Sequence, residues 1–265
     1  MIYTIDHIAD QIRERILSYT QIISPTLDIV QTTTDFASIK YIENKLKTGE
    51  KLGITTRVIT PLEMKESKAD GIIVQLPVGK PYDEDKLLSW IPREKDVDGF
   101  KHLGGIMKNG EAKLEPCTAK GIVQIIDSFF KGKTSGKHVV IINRSNIVGK
   151  PLSMMLLPYD CTVSICHSKT PWGTILYLLK SADVVVSAVG KRNFILHSML
   201  KRGALVVDVS INRDKEGKVC GDVCPDIKKA SDVWTTPVPR GVGQLTVLNL
   251  LENTCIAAMM KSGMI

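Results

Sequence analysis

Short runs of β-branched and aliphatic residues recur along this chain with helix-length stretches between them. That alternation is the sequence form of parallel sheets joined by crossover helices. Two sets are visible. The first comprises Thr26 to Gln31, a helix from about Ala37 to Thr48 ending near Gly49, then Ile54 to Thr60 and Gly71 to Gln75. The second has strands at Val139 to Asn143, Thr162 to His167, Asp183 to Ala188 and Ala204 to Val209, with a short one near Asp232 to Thr235. Between the sets, Pro92 to Thr118 carries several glycines and little periodicity, which reads as an inter-domain connection. The opening MIYTIDHIADQIRERI reads as an amphipathic helix, and Leu245 to Met260 as a helix able to return to the first lobe. The expected fold class is α/β with two lobes: residues 1–118 completed by about 245–265, and a Rossmann-like, doubly wound lobe over 119–244. Small-molecule sites favour the cleft between two such lobes.

With 265 residues, 43% of them hydrophobic, the chain can bury a core without disulfides or metals. Its six cysteines form no CxxC pair, and its five histidines show neither HxxxH nor HExxH spacing, so reduced thiols and no metal centre are expected. No apolar run approaches the roughly 18–20 residues of a membrane helix, which points to a cytoplasmic protein with no membrane partner. The net charge of +7 favours anionic ligands. A phosphorylated small molecule fits that charge as well as nucleic acid does, but with 5% aromatics and no basic stripe no nucleic-acid module is visible.

In the second lobe the strand VVIIN runs into Arg144-Ser145-Asn146-Ile147-Val148-Gly149-Lys150-Pro151 and then the helical LSMMLL. A strand, loop and helix in this order aim backbone N–H groups and the positive helix end at a phosphate. The stretch is neither GxGxxG nor a Walker loop, and a tight turn without a ligand would read the same. The next strand ends CHSKT, placing His167, Ser168 and Lys169 where a Rossmann-type fold meets the adenosine ribose. An acidic residue there would select a free ribose hydroxyl. A hydroxyl and a cation, together with Arg144, favour a 2'-phosphate and therefore NADP over NAD; a solvated Lys169 is the bland alternative.

In the first lobe Tyr41 and Lys45 stand four apart on the expected helix and share one face. An isolated YxxxK is more often an aromatic ring covering a lysine stem. In short-chain dehydrogenases the same motif follows the nucleotide site, whereas here it precedes it.

Taken in order, DFASIKYIENKLKTGEKLGI, VQLP at 74–77, KDVDGF at 95–100, PCTAKGI at 116–122, RSNIVGKPLS at 144–153 and TPVPRGVGQLT at 236–246 resemble the bifunctional methylenetetrahydrofolate dehydrogenase/cyclohydrolase (FolD) family. The resemblance implies a folate-binding catalytic lobe and an NADP-binding lobe, in a homodimer acting on tetrahydrofolate derivatives. It implies Lys45, Gln75, Tyr41 and Asp98 as the catalytic set. Val74, Leu76, Pro237, Pro239, Gly241 and Gly243 would join them in binding substrate, with the two glycines allowing close backbone approach. Asn143, Arg144, Ser145, Ser168, Lys169 and Ile211 would bind the cofactor.

A free lysine is a poor base at neutral pH. A lysine partly removed from water beside a cationic folate would have its proton affinity lowered, so Lys45 is expected to activate water with Gln75 orienting it. Asp96 is open between structural and functional roles. A dehydrogenase without the hydrolytic step and a non-catalytic nucleotide-sensing module are the competing readings.

Three departures from the family stand out. Asn143 replaces a usual Gly, with Asn's tolerance of positive φ offered as the reason the turn survives. Arg240 and Gln244 replace a Gly and a Pro, and Arg240 either reaches a ligand anion or points to solvent. Only Pro61 to Asp70 joins two strands that, if parallel, need a crossover of roughly ten to twelve residues or more, so the first lobe reads as pared down.

Overall fold

The computed structural model describes residues 1–107 and 112–265, apart from the side chains of Ala37, Leu103 and Met107. The chain divides into two compact units, Asp10–Cys117 with Val247–Ile265, and Met1–Ala9 with Thr118–Thr246.

The first unit holds a three-stranded sheet. Helix α1 (Asp6–Thr20) leads to β1 (Thr26–Val30), α2 (Phe36–Lys51), β2 (Thr55–Ile59) and β3 (Gly71–Val74), followed by α3 (Glu84–Trp90) and α4 (Leu103–Met107). The strands lie in the order β2-β1-β3, all parallel, with Leu27 opposite both Thr56 and Gly71. The short crossover is real: one turn of 3-10 helix over Glu63–Glu66 carries the chain past β1 to its other edge. Met64 makes this suffice by joining the core of Val30, Ile59, Ile72, Val74, Leu87 and Ile91. Each such buried side chain contributes roughly 1.5–3 kcal/mol.

The segment expected to be an inter-domain connection belongs to this unit instead. Val97 and Leu114 are fully buried, and Ile72 bridges to Asp96. Gly110, one of the glycines in that segment, lies outside the described residues.

The other unit runs through α5 (Cys117–Phe130), β4 (His138–Ile142), α6 (Gly149–Leu156), β5 (Thr162–Cys166), α7 (Trp172–Ser181), β6 (Val184–Ser187), β7 (Leu205–Asp208), β8 (Asn212–Arg213), β9 (Val219–Cys220) and β10 (Trp234–Thr235). Its five-stranded parallel sheet has the order β10-β7-β6-β4-β5, so the direction of winding reverses between β4 and β6. Ligands of doubly wound sheets bind beyond the strands' carboxyl ends at such a switch point. The central strands β6 and β7 are buried throughout, while the edge strand β5 is partly exposed. The antiparallel pair β8 and β9 has no counterpart in the sequence reading.

The first residues were expected with the N-terminal lobe but cluster with the five-stranded unit. Tyr3 N donates to Thr235 O and Thr235 N to Met1 O, both at 2.9 Å, which adds this segment beside β10. The last helix, α8 (Val242–Lys261), is buried over most of its length, with Asn249, Glu252, Asn253 and Thr254 inside along with its apolar residues. No helix of the described residues is long and apolar enough to cross a membrane.

Candidate active site

Helix α2 starts where the Asp35 carboxylate accepts from Ser38 N at 3.1 Å. Its following turns place Ser38, Tyr41 and Lys45 at spacings of three and four, on one face. The end of β3 faces that helix. Gln75 N continues the ladder to Val30 O (2.9 Å), and the Gln75 side chain is buried. Its Nε2 donates to Leu76 O at 2.7 Å, which fixes the orientation of the amide. Oε1 is thereby turned to Lys45 and accepts from its Nζ at 2.7 Å. The expected pairing of these two residues is present in the geometry.

Burial pushes the Lys45 ammonium below the usual lysine range, opposed by the charge of Asp98 and that of Cys117. Asp98 moves the other way. Burial raises it, Lys45 opposes, Asp96 adds to the rise, and a hydrogen bond from the Cys117 thiol holds it down; the result is about 6. A base lowered and an acid raised toward neutrality in one place is how a fold readies two groups for proton traffic.

Asp96 is structural: its buried carboxylate accepts from Gly99 N at 3.2 Å and Lys101 N at 2.6 Å, closing the turn that carries Asp98. Gly99 has φ +85° and packs so tightly that a Cβ would stand 2.6 Å from Glu115 C and Pro116 N.

Three further residues were not singled out in the sequence. Cys117 Sγ donates to Val97 O at 3.2 Å and faces Asp98. From α8, the fully buried Asn253 donates through Nδ2 to Val97 O and Glu115 O, both at 2.9 Å, tying together the segments that carry Asp98 and Cys117. Ser38 is 2% exposed, and its Oγ has no hydrogen-bond partner among the described residues. A signal for Ser38 existed, since it completes the face defined by Tyr41 and Lys45. Val74 is a correction: its side chain lies in the core, so only its backbone can serve a ligand. Leu76 is half-buried against the same core.

In the five-stranded unit, Ile142 pairs with Cys166, so Arg144 and the pair Ser168 and Lys169 leave adjacent strands at the same level. All three are exposed. Asn143 does not take a positive φ; its amide organises the turn instead. Nδ2 donates to Ala188 O (2.7 Å) across the switch point, and Oδ1 accepts from Ser145 N (2.7 Å) and Gly149 N (3.1 Å). A Cβ on Gly149 would stand 2.2 Å from Asn143 O, so only glycine lets helix and loop close. The amides of Ser145, Val148, Gly149 and Lys150 are all committed within this loop. To that extent the expected cradle of helix-start amides is used up within the chain. Ile211 is half exposed, just before β8.

The segment Pro237 to Gly243 joins β10 to α8 within this unit. A Cβ on Gly241 would meet Pro237 O at 2.1 Å, so the chain's own fold requires glycine there, whereas a Cβ on Gly243 would meet open space. Pro237 is half-buried and Pro239 exposed. Arg240 is exposed and left-handed, with φ +68°, which is the physical reason glycine suits that position.

Comparisons with known proteins also distinguish two domains, but they assign the first residues to the catalytic domain and most of the last helix to the nucleotide-binding one. Residues 4–98 match the family model described as the tetrahydrofolate dehydrogenase/cyclohydrolase catalytic domain, and residues 116–262 match its NAD(P)-binding domain. The chain is 40% identical over 257 residues to the bifunctional protein FolD of Delftia acidovorans, covering 91% of this chain and 89% of that one. It is 39% identical over 271 residues to the protein of that name from Lysinibacillus sphaericus, covering 96% and 94%. Among solved structures, the bifunctional 5,10-methylenetetrahydrofolate dehydrogenase/cyclohydrolase of Thermoplasma acidophilum is similar with TM-score 0.89 and 32% identity, covering 99% of this chain and 100% of that one. The Trypanosoma brucei enzyme, complexed with NADP cofactor and inhibitor, has TM-score 0.90 and 27% identity, covering 99% and 98%.

Proposed function

This chain belongs to the tetrahydrofolate dehydrogenase/cyclohydrolase family, and from that premise we propose that it oxidises 5,10-methylenetetrahydrofolate to 5,10-methenyltetrahydrofolate and hydrolyses the product to 10-formyltetrahydrofolate. The observation that carries the hydrolytic half is the Lys45–Gln75 hydrogen bond of 2.7 Å on a lysine whose proton affinity burial lowers.

The methenyl bridge is a cation, so water adds to its carbon and the ring opens at N5 to a neutral formyl product with net release of one proton. Lys45, neutral in the reactive form, takes the proton from the attacking water and returns one to N5 as the C–N5 bond breaks. Gln75 keeps the Nζ lone pair directed at the water by accepting one N–H, and Leu76 O keeps Gln75 from turning. Asp98 hydrogen-bonds the pterin edge and Tyr41 lines the folate, with the partnerless Ser38 hydroxyl as a further contact.

For the oxidative half the protein has mainly to orient two rings. NADP, when bound, supplies the electron acceptor. Arg144, Ser145, Ser168 and Lys169 would hold its 2'-phosphate end. Their placement beyond adjacent strand ends, with no carboxylate among residues 143–150 or 166–170, fits that anion. Ile211 would line the cofactor, and the Pro237 to Gly243 segment the substrate.

We read the protein as a cytosolic homodimer. In support, Leu157, Tyr159 and Ile165 are exposed apolar side chains at and just before the edge strand β5, which a second copy would cover.

The test is spectroscopic: methylenetetrahydrofolate with NADP or NAD, following reduced nicotinamide and the methenyl species at separate wavelengths. Reduced cofactor without methenyl accumulation supports both activities, and a faster reaction with NADP supports the 2'-phosphate site. Methenyl accumulation would reduce the reading to a dehydrogenase, and silence with both cofactors would overturn it.

A further inference from the structure

Asp222 has no part in the reaction just described, yet its side chain is completely buried and five donors converge on it. Ser187 Oγ (2.7 Å), Ser210 Oγ (2.7 Å) and Val189 N (2.8 Å) donate to Oδ2. Lys191 N (2.8 Å) and Asn212 Nδ2 (3.0 Å) donate to Oδ1. Ser187 ends β6, and Val189 and Lys191 lie in the loop that follows; Ser210 and Asn212 flank Ile211 beyond β7. Gly190 N also donates to Ser210 Oγ at 3.0 Å, joining the two loops directly.

The carboxylate is held there from behind. Asp208 accepts from Asp222 N and Val223 N, both at 3.0 Å, and a Cβ on Gly221 would stand 1.9 Å from Asp208 Oδ2. The loops Asp222 joins leave the carboxyl ends of adjacent strands, and β6 borders the switch point where dinucleotides bind.

We propose that Asp222 is a positioning residue for the dinucleotide, setting the 188–191 loop and the Ser210–Asn212 segment in the form that receives the cofactor. The proposal rests on the NADP reading above. An aspartate is required because two of the donors are backbone amides that cannot turn away. In Asp222→Asn the amide nitrogen must face either Val189 N or Lys191 N, so one loop amide loses its acceptor whichever way the side chain lies. The serine hydroxyls can reorient, and the loop amides cannot.

The experiment compares Asp222→Asn with the wild-type chain by NADPH fluorescence titration, by dehydrogenase KM for NADP and for the folate, and by hydrolysis of supplied methenyltetrahydrofolate without nucleotide. The expected result is an NADPH Kd and an NADP KM each raised about tenfold, with the folate KM and the hydrolytic rate within about twofold. Unchanged NADPH affinity would overturn the proposal. So would equal losses in both half-reactions with a lowered melting temperature, the mark of a purely structural carboxylate. Should Asp222→Asn not fold, Ser210→Ala removes one link between the loops, and a NADPH Kd raised about threefold is then expected against none if the proposal is wrong. A wild-type chain that does not bind NADPH would overturn the cofactor reading itself, and this proposal with it.

Discussion

Among the described residues Lys45 is hydrogen-bonded to a glutamine amide that is itself pinned, and its partial burial lowers its proton affinity. Lys45→Met removes the proposed proton carrier while leaving an apolar stem of similar length, so hydrolysis of methenyltetrahydrofolate should fall about 10²-fold or more while NADP reduction persists. A separate assay of each half-reaction decides this. Asp98, at about 6, should give the folate KM an acid limb: as pH drops from 7 to 5 the carboxylate gains its proton, stops accepting from the pterin edge and KM rises. In Asp98→Asn the KM should be high and flat over that range. Arg240 holds a left-handed backbone at φ +68°, so Arg240→Gly should raise stability by about 1 kcal/mol in urea titration, whereas Gly241→Ala should unfold the segment by driving a Cβ onto Pro237 O. Tyr41 and Lys45 were legible because helix spacing alone puts them together. Cys117 and Asn253 were not, because the contacts that bring them to Asp98 span 19 residues or more of sequence and leave no local period.

At the level of elements, the strands were legible because a parallel strand buried on both faces is a near-continuous apolar run, as β3 is throughout and β6 and β7 are up to their last residues, Ser187 and Asp208. The stretch from Pro92 to Cys117 misled for the opposite reason. Its fold is fixed by side-chain bonds such as Asp96 to Lys101 N and Asn253 to Val97 O, none of which has a repeat to read. The turn between β4 and α6 shows the same limit: Asn143 works through its amide, not through its backbone angle. Helix α8 carries the matching prediction. Asn253→Ala removes the donor that Val97 O and Glu115 O share and should cost about 1–3 kcal/mol in chemical denaturation, with kcat of both half-reactions lowered because the segments bearing Asp98 and Cys117 lose their common anchor.

For the molecule as a whole, the carboxyls held above their ordinary range, Asp96, Asp98 and Asp208, contribute a stability that falls as pH rises. Asp98 and Asp208 are each raised from 3.8 to about 6, chiefly by burial. Between those values the folded chain binds more protons than the unfolded one, so this contribution is present below pH 4, declines as pH rises to 6 and is absent above. For Asp208 the shift corresponds to roughly 3 kcal/mol. Unfolding free energy measured from pH 4 to 7 should therefore fall, and Asp208→Asn should remove part of the slope while leaving that due to Asp98. Helix α8 has a last consequence, for the order in which the protein is made. The three-stranded unit is the first to leave the ribosome in bulk, but Asn253 and Arg15's partner Glu252 come after every residue of the five-stranded unit. The part translated first is thus the part finished last, and until the final helix emerges the segment bearing Asp98 waits without its anchor.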